Sequence, residues 1–201
     1  EILRPESYLK SIEYFQDKDY QIVFAGSEKF PDIFLNKSII NYANSKYASA
    51  LNDFLLVGHC SLVISSASGF CLLPENLDKP LLMINTIAGA GNFGRRTIFL
   101  PTLLSQRSKA FNGKIQHLYL CTYGPNMGRD IFEDLYIVNM PTSEEIFMAA
   151  KELEGMLINI VPSLTLLQKK ISDENGCPLL SCGLSRISDF YLKKHAYFFE
   201  K

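Results

Sequence analysis

The stretch LVISSASGFCLLPENLDKPLLMIN, Leu62 to Asn85, most constrains what this chain can fold into. Leu62-Val63-Ile64 and Leu81 to Ile84 are short apolar runs that read as buried strands. Between them, Ser65-Ser66-Ala67-Ser68-Gly69 is a run of small residues that can turn tightly and leave backbone N–H groups unpaired. Phe70 to Leu77 then reads as a short helix. Strand, small-residue loop, helix and strand make a βαβ unit, and such units build parallel sheets. The loop opens a helix N-terminus, where free N–H groups and the positive end of the helix dipole favour an anion. A phosphate or nucleotide diphosphate is the ligand such a loop suits. The competing reading is an ordinary connection, since most loops of an α/β sheet bind nothing.

The 201 residues suffice for one large or two small domains with a real core. Hydrophobic residues at 47% and charged residues at 20% are ordinary for a globular protein. A net charge of -1 gives no sign of a nucleic-acid partner, which calls for a basic surface. No apolar run reaches the roughly 20 residues that span a bilayer. Cys60, Cys71, Cys121, Cys177 and Cys182 form no close C-x-x-C pair, which argues against zinc and against a secreted disulfide framework. Cytoplasm, or the periphery of an inner membrane, is the expected location. The chain opens on Glu1, so an excised piece of a longer protein is expected.

Along the chain, Pro5 and the apolar Tyr8, Leu9, Ile12 and Phe15 predict a first helix, with Arg4 just before it. Tyr20 to Ala25 predicts a strand that ends at Gly26-Ser27, a second loop at a strand's carboxyl end. Phe30 to Lys37 reads as loop, Ile39 to Tyr42 as a short strand and Leu51 to Val57 as a helix. His59 follows in a turn and reads as a structural or surface histidine. Ile115 to Leu120 could form a strand, and Tyr123 to Arg129 a loop. Thr142-Ser143-Glu144-Glu145 is a capping box, and Ile146, Phe147, Ala150, Leu153 and Leu157 continue it as a helical stripe expected to pack on the sheet without doing chemistry. Pro162 can open a further helix to Ile171, Asn175 to Gly183 reads as loop, and Ile187 to Phe199 as an aromatic-rich terminal helix.

Gly89-Ala90-Gly91-Asn92-Phe93-Gly94 fits G-x-G-x-x-G letter for letter. A dinucleotide site also needs a helix at its end and an acidic residue about 20 positions on. Here Arg95-Arg96-Thr97-Ile98-Phe99-Leu100-Pro101 follows, extended or irregular, and the next acidic residue is Asp130. A Rossmann NAD site is therefore rejected. The segment reads instead as a glycine-rich loop whose Arg95 and Arg96 could give forked donors to a phosphate or acceptor, or serve as surface charges.

Several phrases, taken together, resemble a bacterial glycosyltransferase family known mostly from its carboxyl-terminal half: YANSKYASALNDFLLVGHCSLVISSASGF, then LLMIN after Pro80, NMPTSEEIFMAAKEL, and SRISDFYLKKHAYFFE. The likeness runs through nearly the whole chain in one order. More distantly, the Ser-Gly loop and its helix are similar to the donor-binding half of GT-B glycosyltransferases such as heptosyl- and fucosyltransferases. The resemblance implies an α/β fold with a Rossmann-like, mostly parallel sheet flanked by helices, formed by residues 1–201 as one nucleotide-sugar-binding domain. Residues 143–201 would be a helical part packed on it, with the amino-terminal half of the parent protein elsewhere.

The resemblance also implies roles. Ser68 and Gly69, with Ser65, Ser66 and Phe70, would hold the diphosphate; Gly26 and Ser27 would lie on the neighbouring loop; Arg4 would neutralise phosphate charge; and Asn85 would border the cleft. The implied partners are a nucleotide-sugar donor, a glycan or lipid-linked acceptor and the amino-terminal domain, with no metal and no cofactor. Two departures stand out. Ala67 replaces an aspartate often found before Ser-Gly, and Phe24-Ala25-Gly26 replaces an arginine-containing phrase. Glu75 matches a ribose-contacting glutamate only by rough position. Two other readings stay open: a non-catalytic nucleotide or phosphosugar module, and an interaction domain that docks through Tyr191, Tyr197, Phe198 and Phe199.

Overall fold

The computed structural model describes residues 4–66, 68–86, 94–106, 136–158, 162–169 and 185–196. The protein is α/β, with parallel sheets flanked by helices. The principal sheet has the order β3-β4-β5-β8, built from Val63–Ser66 (β3), Leu81–Thr86 (β4), Thr97–Pro101 (β5) and Arg186–Ile187 (β8), and every neighbouring pair is parallel. Ile22–Phe24 (β1) and Ile39–Asn41 (β2) form a separate parallel pair, and Leu103–Gln106 (β6) and Tyr136–Asn139 (β7) an antiparallel one.

Leu81, Leu82, Met83 and Ile84 are all buried. Consecutive strand residues face opposite sides of a sheet, so β4 is covered on both faces, which is why its sequence is continuously apolar instead of alternating. The helix Ser143–Glu154 (α4) lies over β4 and β5 and buries Ile146, Ala149, Ala150 and Leu153. Its capping box forms as expected: the Glu145 amide donates to Thr142 Oγ1 at 3.3 Å, and Glu145 Oε2 accepts from the Thr142 amide at 2.7 Å.

Leu9–Gln16 (α1), entered through a 3-10 turn at Pro5–Tyr8, packs beside α4. Lys10 pairs with Glu144 at one end of the two helices and Lys18 with Glu154 at the other, so the helices run in the same direction. Tyr14 also donates to Glu154, at 2.8 Å, and its ring meets Phe147 edge-on. Ala50–His59 (α2) is capped by Ser49, whose hydroxyl accepts from the Asn52 amide, and ends with His59 exposed.

Several expected boundaries move. β3 begins at Val63 and runs on through Ser65 and Ser66, which pair with Met83 and Ile84, so these two serines are strand and not loop. The helix after Gly69 is a 3-10 turn, Gly69–Cys71, followed by only Leu72–Asn76 (α3). At the other end, Ile187 belongs to β8, and the terminal helix Asp189–Lys194 (α5) begins after Ser188. The expected strand at 115–120, the loops at 123–129 and 175–183, and residues Tyr197, Phe198 and Phe199 lie outside the described residues.

Candidate functional site at the carboxyl edge of the sheet

Because β3, β4, β5 and β8 are parallel, their carboxyl ends share one edge, the usual ligand side of an open α/β sheet. Ser68 and Gly69 follow β3 at that edge, and the backbone of Asn85 lies near the end of β4. Ser68 is exposed and extended and takes the N-cap position of the 3-10 turn, with no side-chain capping bond. Its carbonyl accepts from the Cys71 amide and the Cys71 thiol. Gly69 is exposed, its backbone does not have a positive φ, and a Cβ built on it would meet nothing within 4 Å. Folding therefore makes no visible demand for glycine there. Ser65 is already committed: its hydroxyl donates to the Ser66 carbonyl at 3.0 Å. Gly26, with φ at +112°, and Ser27 lie exposed after β1, in the other parallel pair.

The two arginines of the glycine-rich segment stand elsewhere. They precede β5 and so lie at the amino edge of the sheet, opposite the Ser68–Gly69 loop. The Arg96 carbonyl accepts from the Leu81 amide at the start of β4. Its guanidinium donates to the carbonyls of Asp78 at 3.3 Å and Met156 at 2.7 Å, the latter in the 3-10 turn Gly155–Ile158 that follows α4. Gly94 leads through Arg95 and Arg96 into β5. The rest of that segment, 87–93, lies outside the described residues.

A second feature of the carboxyl edge was not expected. A cleft of about 360 Å³ opens between the start of α1, the start of α4 and α5, and Arg4, Thr142, Glu145, Tyr191, Lys194 and His195 are among the residues that line it. Tyr191 donates to the Pro101 carbonyl at 2.7 Å and so fixes α5 over the end of β5. The α5 N-terminus is held by Glu152, whose carboxylate accepts from Ser188 Oγ at 2.8 Å and from the amides of Asp189 and Phe190 at 3.0 Å each.

Glu145 is only 2% exposed and carries three partners beyond its own helix ladder. Oε2 accepts from the Thr142 amide, and Oε1 accepts from Lys194 Nζ and His195 Nε2, each at 2.7 Å. Burial pushes its carboxyl pKa up, but the hydrogen bonds from Lys194, the Thr142 amide and His195 outweigh that and hold it below the ordinary value. An ionised carboxylate only accepts, so His195 Nε2 carries the proton in this pair. Both oxygens are thus occupied. What the cleft offers a ligand is positive: Arg4 is exposed and, among the described residues, has no ion-pair partner, and Lys194 keeps 44% of its side chain exposed.

The family resemblance implied a ligand role for Arg4, but Glu145, Lys194 and His195 were not expected at a site. The SDFYLKKHAY phrase, with Lys193 and Lys194 adjacent, signals a cation on more than one helix face, but it says nothing of Glu145. Cys60 offers no nucleophile, since burial pushes its thiol pKa up and disfavours the thiolate. Among the described residues no group of three or more His, Cys, Asp or Glu side chains could hold a metal. None of their helices is long and apolar enough to cross a membrane. Compared with family models, with curated proteins and with solved structures, the chain matches none of them.

Proposed function

We propose that this chain is the nucleotide-sugar-binding half of a metal-independent glycosyltransferase, transferring a sugar to a glycan or other cell-surface acceptor. The observation that carries the reading is the carboxyl edge of the parallel sheet, which carries an exposed Ser68–Gly69 turn after β3 and, two strands along, a cationic cleft at the end of β5. In such a reaction the sugar–phosphate bond breaks and negative charge grows on the diphosphate. Fixed backbone donors and cations stabilise that charge without a metal. No catalytic base is assigned; Glu145 is buried and saturated, and the base would come from a facing domain.

The test is a thermal-shift screen with nucleoside diphosphates and their sugars, on the chain and on its Ser68→Arg/Gly69→Val variant. Ligand at 100-fold over its dissociation constant adds about 2.7 kcal/mol, a rise of roughly 5–10 °C for a chain of this size. Both positions are exposed and a Cβ at Gly69 meets nothing, so the variant is expected to fold. A rise with one nucleotide that the variant abolishes supports the donor site. A rise that survives in the variant removes it.

A second reading, a nucleotide or phosphosugar module without turnover, is favoured by the Ser65 hydroxyl and the Arg96 guanidinium being bonded to carbonyls. Binding without sugar transfer, in a protein with its facing domain restored, would select it.

A further inference from the structure

The cleft beside α5 has properties that the Ser68–Gly69 turn lacks. It is walled by segments distant in sequence, the residues before α1, the α4 N-terminus and α5, and two of its groups, Lys194 and His195, are held by the buried Glu145 carboxylate. It also lies apart from the turn. Pro101, under Tyr191, ends β5, two strands from β3, and adjacent strands are about 4.8 Å apart, so roughly 10 Å of sheet separates the two places. The two phosphorus atoms of one diphosphate lie far closer together than that.

We infer that the cleft is a phosphoryl-binding subsite in its own right, with Arg4 and Lys194 as the ligating cations. The charges support this. Glu145 is matched by Lys194, so Arg4 leaves the cleft with a surplus positive charge. Glu145 fixes the root of the site by holding both Lys194 and His195. Lys194 has three donor hydrogens and gives one to Glu145, leaving the others for a ligand, while the Arg4 fork suits two phosphoryl oxygens at once. The cleft has room for a phosphate or a phosphosugar. The phosphoryl group would come from a second ligand, a free phosphate or a phosphorylated acceptor.

Calorimetric titration with inorganic phosphate at fixed ionic strength tests this directly, on the chain and on Arg4→Ala, Arg4→Lys, Lys194→Ala and Ser68→Arg. The expected result is saturable millimolar binding, weakened about tenfold or more by Arg4→Ala and by Lys194→Ala, partly kept by Arg4→Lys and untouched by Ser68→Arg. Arg4 is exposed, so its variants report on the ligand and not on folding. Titrating phosphate again with a saturating nucleoside diphosphate present tests the separation: independent binding supports a subsite apart from the diphosphate, and competition overturns it. Phosphate binding that fails to saturate, or that Arg4→Ala leaves unchanged, overturns the inference. Loss of nucleotide binding in Ser68→Arg with phosphate binding intact would leave this subsite standing whatever the fate of the donor reading.

Discussion

The Tyr191 hydroxyl lies 2.7 Å from the carbonyl oxygen of Pro101, joining the terminal helix to the last residue of β5. Tyr191 is 1% exposed, so removing the hydroxyl strands a buried carbonyl that water cannot easily reach. Tyr191→Phe is expected to cost about 1–2 kcal/mol, read as a lower urea midpoint with an unchanged slope. An unchanged midpoint would mean that α5 is not held to the sheet in this way.

Glu152 predicts a larger effect confined to one element. Its carboxylate satisfies three donors at the start of α5, so Glu152→Ala should cost about 2–3 kcal/mol. Amide exchange is the sharper measurement. Protection should fall across Asp189 to Lys194 and stay high in Leu81 to Ile84.

Acid should act through Glu145. Its pKa is lowered in the folded state, so its contribution is complete above the unfolded value of about 4.3 and is lost as pH falls through the folded value. Glu145→Gln should therefore be about 2 kcal/mol less stable than the native chain at pH 7, with the gap closing at strongly acid pH. Urea melts from pH 7 to pH 2 would show it. A gap independent of pH would mean that packing, not charge, sets the cost. Glu154, lowered by Lys18 and Tyr14 against its own burial, adds an acid-sensitive contact of the same sign between α1 and α4.

Gly26 separates backbone strain from crowding. A Cβ there meets nothing within 4 Å, but φ is +112°, a region that other residues enter at a cost. Gly26→Ala should lower stability by about 1 kcal/mol or more through the backbone alone. A neutral result would show that this turn relaxes to an ordinary conformation.

Much of the fold was legible because it rests on local signals. The apolar run at Leu81 and the capping box at Thr142 each announce an element without reference to the rest of the chain. The small residues after Ile64 misled because serine is turn-prone by itself yet serves in a strand when its neighbours pair, as Ser65 and Ser66 do with Met83 and Ile84. β8 has only two residues, too few for any period to appear. The cleft was hidden for a different reason. Glu145 had a complete local explanation as a cap, so nothing in the sequence asked for its contacts with Lys194 and His195, 49 and 50 positions away. The position of Arg95 and Arg96 was within reach, since residues that precede a parallel strand must lie at the edge opposite its ligand side.

The sheet closes through its most distant pairing, Ile98 and Phe99 with Arg186 and Ile187. The βαβ core needs only neighbouring stretches of chain and can assemble early, while β8 must find its place from beyond β6, β7 and α4 and lose correspondingly more chain entropy. α5 follows β8 directly, and with it come Tyr191, Lys194 and His195. A nascent or shortened chain could thus reach a folded β3-β4-β5 core and still have no cleft, which would then be the last part of this fold to form.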